Sequence, residues 1–225
     1  MNPKLKTEVK ICGLSTEDAV EAALAGGASH LGFIFFEKSP RNVTPQAAAK
    51  LSDKARGRAK IVAVTVDADD DRLDEIVSVL QPDVLQLHGH EDSDRVQALK
   101  ARHGLPVIKA ISLREPGDVE AAFDFAGAAD RLLFDAKPPA GAQLPGGNGV
   151  AFDWGLLGGL DAEIDYMLSG GLNADNIASA LAMTDARAVD VSSGVEKAPG
   201  IKDTTRIGAF FAALRAAENE PVRER

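Results

Sequence analysis

Cys12 is the only cysteine among 225 residues, and it stands with Gly13 at the end of a short apolar run, Val9–Cys12. A thiol there can serve as a base or nucleophile once ionised. A free cysteine is equally a common small core residue, and position alone leaves the two readings level. Asp135 ends a second apolar run, Leu132-Leu133-Phe134, where an unpaired carboxylate is costly to bury. It suits a general acid or base, with capping of the following loop as the plainer alternative. Arg41 follows Ser39-Pro40. Its planar fork fits a carboxylate or phosphate, or else an ordinary surface pairing with Asp or Glu.

Two glycine-bearing segments point to anion binding. Gly170-Gly171-Leu172 leads into a helix capped near Asn173, and Ser192-Ser193-Gly194 follows another apolar run. Glycine lets the backbone approach an anion, and N–H groups at a helix start point toward it. Either segment alone would read as a tight turn; the two together favour a phosphate. His88 and His90 flank Gly89, but no Cys or carboxylate falls at a recognised ligand spacing, so no metal site is expected. His30 and His103 read as ordinary surface or helix-end residues. The Gly-dense stretch from Leu144 to Trp154 suits a loop closing over a ligand, or a plain connector. Trp154, the only tryptophan, suits a core or loop anchor.

These residues need a scaffold that gathers them. Eight short apolar runs recur along the chain: Val9–Cys12, Leu31–Phe35, Ile61–Val66, Val84–Leu87, Val107–Ile111, Arg131–Phe134, Tyr166–Leu168 and Ala188–Val191. Runs of that length, mostly apolar, are the pattern of parallel strands buried on both faces. Helical spacing intervenes. Leu73, Ile76, Val77 and Leu80 fall on one face, as do Ile207, Phe210, Phe211 and Leu214 near the end. Ser15, Asn173 and Asp203 stand where N-caps belong, and Pro45 suits a first helical turn. Eight strand–helix units of about 28 residues suit a compact (β/α)8 TIM barrel, an α/β fold occupying 1–225 as a single domain with a frayed tail at 218–225. A nucleotide-binding open sheet would show GxGxxG after its first strand, and Ile11-Cys12-Gly13-Leu14-Ser15 does not match it. In a barrel the ends of the strands build the site, and the reactive residues named above fall at those ends.

Composition narrows the class further. The chain is 45% hydrophobic and 26% charged, with a formal net charge of -9. A net acidic surface does not suit general binding of nucleic acid, which needs clustered Lys and Arg. No run of 18 apolar residues suits a membrane span, and the polar opening MNPKLKTEVK lacks a signal peptide's apolar stretch. One cysteine allows no internal disulfide. A cytoplasmic enzyme or small-molecule binder is expected, monomer or homodimer, with neither nucleic acid nor membrane as partner.

Taken in order, the motifs resemble those of the phosphoribosylanthranilate isomerases. They are Lys10-Ile11-Cys12-Gly13, Gly32-Phe33-Ile34-Phe35 with Ser39-Pro40-Arg41, Leu87-His88-Gly89 and Leu133-Phe134-Asp135. Pro145-Gly146-Gly147-Asn148-Gly149 with Phe152-Asp153-Trp154, Gly170-Gly171-Leu172 and Asp190–Glu196 complete the match. Asn148 stands where the family commonly carries Thr or Ser. The resemblance implies an Amadori rearrangement of N-(5-phosphoribosyl)anthranilate, a phosphorylated small molecule, to the 1-deoxyribulose phosphate, without cofactor or metal. It also implies Cys12 as general base, Asp135 as general acid and Arg41 on the anthranilate carboxylate. His88, Gly170, Gly171, Ser193 and Gly194 complete the substrate-binding set. Two other readings are a related phosphosugar barrel, such as the aminoaldose isomerase of histidine biosynthesis, and a non-catalytic phosphate-binding barrel. The first uses a carboxylate where this chain has Cys12, and the second would not need Cys12 and Asp135 together.

Overall fold

The computed structural model describes residues 6–125, 127–136, 146, 153–160, 164–184 and 186–219. Its elements in order are β1 (Glu8–Cys12), α1 (Glu17–Gly26), β2 (His30–Phe35), α2 (Pro45–Ser52), β3 (Lys60–Thr65) and α3 (Asp70–Leu80). Then come β4 (Val84–Leu87), α4 (Ser93–His103), β5 (Val107–Leu113), α5 (Pro116–Ala122) and β6 (Arg131–Ala136). A 3-10 helix at Trp154–Gly159 precedes β7 (Tyr166–Leu168), α6 (Ile177–Thr184) and β8 (Ala188–Val191). After β8 lie a single 3-10 turn, Ser193–Val195, the strands β9 (Glu196–Ala198) and β10 (Ile201–Lys202), and α7 (Thr204–Asn219).

Strands β1 to β8 pair in sequence order, all parallel, and β8 returns to β1, so the sheet closes into a barrel. The eight expected runs are the eight strands. Alternation along each strand then divides the apolar residues into two cores. Outward side chains such as Val9, Ile11, Leu31, Phe33, Leu85 and Phe134 pack under the helices with Ile76, Ile207 and Phe210. Inward ones, including Val62, Val64, Ile108, Leu133 and Met167, fill the barrel together with Cys12. Cys12 and Asp135 share the inward parity, and both stand at the C-terminal end of the barrel.

Local chemistry sets the helix starts, with some differences from the expectation. The cap of α1 is Thr16, whose side chain accepts from the Ala19 N–H, and not Ser15. Thr16 has the extended backbone a cap requires, and Glu17 and Asp18 follow it in the first turn. Pro45 does occupy the first turn of α2, behind a Thr44 cap. Asn173 caps a turn of 174–176 and α6 follows at Ile177, while Asp203 caps α7 through the N–H groups of Thr205 and Arg206. β6 continues two residues past Phe134, because Ser112 and Leu113 of β5 pair with Asp135 and Ala136. The β9–β10 hairpin, with Gly200 at φ 80° in its turn, was not expected. His30 is buried rather than a surface residue. Instead of fraying at 218, α7 runs to Asn219, and the Glu218 carboxylate accepts the Thr7 N–H at 2.7 Å. Residues 220–225 lie outside those described.

Candidate active site

Cys12 and Asp135 approach the barrel mouth from β1 and β6, strands separated by β7 and β8. Each is only 5% exposed, so neither is a surface group met by chance. Inward parity and strand-end position follow from the sequence; the groups around each follow from closure of the barrel.

Asp135 Oδ1 accepts the N–H of Ala136 at 2.9 Å. Its other oxygen, Oδ2, lies 3.4 Å from His88 Nε2. On the far side of the imidazole, Gln86 Nε2 is 3.1 Å from His88 Nδ1. Gly146 comes down over this pair. A side chain beginning there would stand 2.6 Å from Asp135 Oδ2 and 2.9 Å from His88 Nε2, so only glycine leaves both groups in place. The neighbouring residues 147–150, including Asn148, lie outside those described. His88 thus lies beside Asp135 at the barrel mouth. His90 does not, since its exposed ring turns outward to Asp67 at 2.9 Å. Among the described residues no three His, Cys, Asp or Glu side chains are grouped to hold a metal ion.

Cys12 sits in a charged layer of the barrel. Lys10, two residues earlier and on the same side of β1, is fully buried and places Nζ 2.9 Å from Asp190 Oδ1 on β8. Ser169 lies 3.4 Å from Asp190 Oδ2. Burial pushes the Cys12 thiol upward, with Lys10 pulling against it and Asp190 adding to it. Lys10 is opposed by its own burial, yet Asp190 and Cys12 outweigh that and hold it above the usual lysine range. The Cys12 backbone is tied to β8 by the Ser192 hydroxyl, which donates to the Cys12 carbonyl at 3.1 Å.

Arg41 is placed beside Cys12-Gly13. Gly13 has φ 76°, and a side chain there would begin 2.6 Å from Arg41 Cδ, so glycine is what lets the arginine stem pass. The expected surface position is not found. Arg41 is 4% exposed and forms a bidentate pair with Glu196, Nε to Oε1 at 2.7 Å and Nη2 to Oε2 at 2.8 Å. Lys202 joins the same carboxylate at 2.7 Å and also donates to the Ser192 carbonyl at 2.9 Å. Burial works against charge on Glu196, but hydrogen bonding from Arg41 and the Lys202 charge prevail and hold it below the usual carboxylate range. Burial depresses Lys202 despite Glu196. The unexpected hairpin therefore has a purpose: it carries the carboxylate and lysine that fix Arg41.

The two glycine segments lie side by side at the same rim. Gly170 and Gly171 have φ 86° and 66°, a left-handed backbone that other residues rarely adopt. Asn176 Nδ2 donates to the Gly171 carbonyl at 3.0 Å and helps hold the turn. A side chain on Gly194 would strike the Leu172 carbonyl, so these loops pack backbone to backbone. Ser193 and Gly194 begin a short 3-10 turn directly after β8, the place where barrels carry a short extra helix that binds phosphate.

Residue identities and their order settle the family. The model of the N-(5'phosphoribosyl)anthranilate (PRA) isomerase family matches residues 9–213. The chain belongs to that family. A relative from Sinorhizobium medicae, named N-(5'-phosphoribosyl)anthranilate isomerase, is 66% identical over 214 residues, spanning 95% of this chain and all of the relative. The phosphoribosyl anthranilate isomerase of Thermotoga maritima superimposes with a TM-score of 0.84 at 32% identity, covering 93% of this chain and 99% of that one. A further structure of such an isomerase, in complex with reduced 1-(o-carboxyphenylamino)-1-deoxyribulose 5-phosphate, gives 0.81 at 30% identity and the same coverage. As a member of the N-(5'-phosphoribosyl)anthranilate isomerase family, this chain is an isomerase of tryptophan biosynthesis that interconverts an aminoaldose and an aminoketose.

The sequence reading gave no role in the site to Lys10, Gln86, Asp190, Glu196 or Lys202; of these, Lys10, Asp190 and Glu196 stand within its motifs. A signal existed for two of them. Lys10 and Asp190 are charged residues in otherwise apolar strands, and Lys10 has the parity of Cys12. Glu196, beyond its place in a motif, and Lys202 carry no such mark, because they belong to a hairpin too short for a periodic pattern.

Proposed function

We propose that this chain isomerises N-(5'-phosphoribosyl)anthranilate by acid–base catalysis between Cys12 and Asp135, in the cytoplasm and on a phosphorylated small-molecule substrate. The observation that carries the assignment is the pairing of a buried inward thiol with a buried inward carboxylate at one barrel rim. Asp135 gives its proton to the furanose ring oxygen as the bond from that oxygen to C1′ breaks, and the anilino nitrogen's electron pair forms the Schiff base. The Schiff base acidifies the C2′ proton. Cys12, as thiolate, takes that proton and leaves an enolamine, whose tautomerisation to the ketone completes the rearrangement. His88 orients the Asp135 carboxyl.

Arg41 holds the anthranilate carboxylate, oriented by its pair with Glu196. The backbone of Gly170, Gly171, Ser193 and Gly194 holds the phosphate. The net charge of -9 repels an anionic substrate at long range, so these local donors supply the attraction. The test is to add phosphoribosylanthranilate to the purified protein and follow loss of its anthranilate-type fluorescence, with and without a chelator. Rapid loss in both is expected. No turnover, or turnover only of the histidine-pathway aminoaldose, would sink the assignment.

A further inference from the structure

The isomerisation asks Cys12 to give up a proton inside a closed barrel, where burial favours the neutral thiol. Three charged groups face it: Lys10 on its own strand β1, Asp190 on β8 and Lys202 on β10. From β2 comes Gly32, and it carries no side chain. The point where one would begin lies 3.0 Å from Lys10 Nζ and 3.1 Å from Cys12 Sγ. Ammonium and thiol thus border one small space that any larger residue would fill, and the Lys10 ammonium is anchored there by Asp190 Oδ1 at 2.9 Å. Stability does not account for this arrangement. Barrel interiors are normally filled by Val, Ile and Leu, and replacing a buried ion pair by apolar residues is often neutral or stabilising.

We propose that the buried Lys10–Asp190 pair sets how readily Cys12 ionises, Lys10 being shared between the Asp190 carboxylate and the thiolate as the latter forms. Asp190 holds the lysine in place and competes with the thiolate for its charge, and Gly32 keeps the space between lysine and thiol open. Lys10 is a positioning residue in this scheme, acting on the substrate only through the thiol. The proposal builds on the assignment of Cys12 as the base, but it is tested apart from turnover.

Because Cys12 is the chain's only cysteine, thiolate absorbance in the ultraviolet and the pH dependence of alkylation by iodoacetamide report on it alone. Lys10→Met is expected to move the midpoint up by about 1–3 pH units. Asp190→Asn is expected to move it down, since the opposing anion is lost while the lysine stays. A loosened barrel would move both variants in the same direction, toward an exposed thiol. Midpoints that stay put, or that shift the same way, overturn the proposal. Where Lys10→Met does not fold, the near-isosteric Asp190→Asn decides: a midpoint below the free-thiol value of about 8.5, which exposure alone cannot give, supports the proposal, and one at or above it overturns it. The pH profile of kcat, measured in the same variants, should track the thiol midpoint. Opposite midpoint shifts with an unmoved rate profile would still support control by the pair, while removing Cys12 from the role of base.

Discussion

Replacing Cys12 by Ala or Asp135 by Asn removes a positioned base or acid and little apolar surface. Each is expected to lower kcat by about 10²- to 10⁴-fold with KM nearly unchanged, measured by steady-state fluorescence beside a circular dichroism check of folding. Near-normal kcat in Cys12→Ala would leave Cys12 as a packing residue only. Arg41 differs because its guanidinium is already committed to Glu196 in a buried pair. Arg41→Ala leaves that carboxylate with Lys202 and the Gly200 N–H, and losing one member of a buried pair costs about 3–5 kcal/mol. A urea melt should show a loss toward the lower end of that range, since Lys202 remains. If Arg41 also reads the substrate carboxylate, KM rises roughly ten- to a hundredfold, the worth of one charged hydrogen bond. Arg41→Lys should recover part of that. An analogue lacking the carboxylate separates the two effects: Arg41→Ala should lose little further on it, and an equal loss on both substrates would make Arg41 purely structural.

The element that most constrains binding is the pair of loops after β7 and β8. Each makes a turn that glycine allows, and the two lean on each other where Gly194 meets the Leu172 carbonyl. Gly194→Ala must push them apart without touching the thiol or the carboxylate. We expect KM for the phosphorylated substrate to rise about tenfold or more, by loss of at least one charge-assisted hydrogen bond. Competitive inhibition by inorganic phosphate should weaken in parallel. An unchanged phosphate inhibition constant in a folded Gly194→Ala protein would move the phosphate site elsewhere. The strands and the strongly periodic helices were legible because each carries its own period of apolar residues. The β9–β10 hairpin was not, since strands of three and two residues are too short to show one.

At the scale of the molecule the two ends of the barrel do different work. The C-terminal rim holds the reactive groups. At the opposite end, Glu8 of β1 reaches Arg131 of β6 at 2.7 Å, and Arg131 also holds Asp165 at 2.9 Å. His30 is buried beside them. Burial lowers its pKa from 6.5 to about 4, against the pull of Glu8. The folded form therefore keeps His30 neutral where the unfolded chain would protonate it. Its contribution is intact above pH 6.5 and is lost as pH falls from there to about 4, on the order of 3 kcal/mol in all. Denaturant melts between those limits should show stability falling with pH. The fall should be shallower in His30→Gln, and an equal slope in both proteins would mean that His30 does not carry it.

Much of this protein is written locally. Eight apolar runs, their helical spacers and the glycines and reactive residues at run ends are patterns of neighbouring residues, and they were enough for the barrel and for Cys12, Asp135 and His88 at its mouth. The partners were a different matter. Lys10 meets Asp190 across 180 positions of sequence, and Arg41 meets Glu196 across 155. Neither encounter has any local period behind it. Closure of β8 onto β1 makes the first, and the hairpin after β8 folding onto the loop after β2 makes the second. A charge in a strand can be read from sequence as unusual. Which opposite charge neutralises it, and what other group shares the space, depends on register around the whole barrel, and only the tertiary structure decides that.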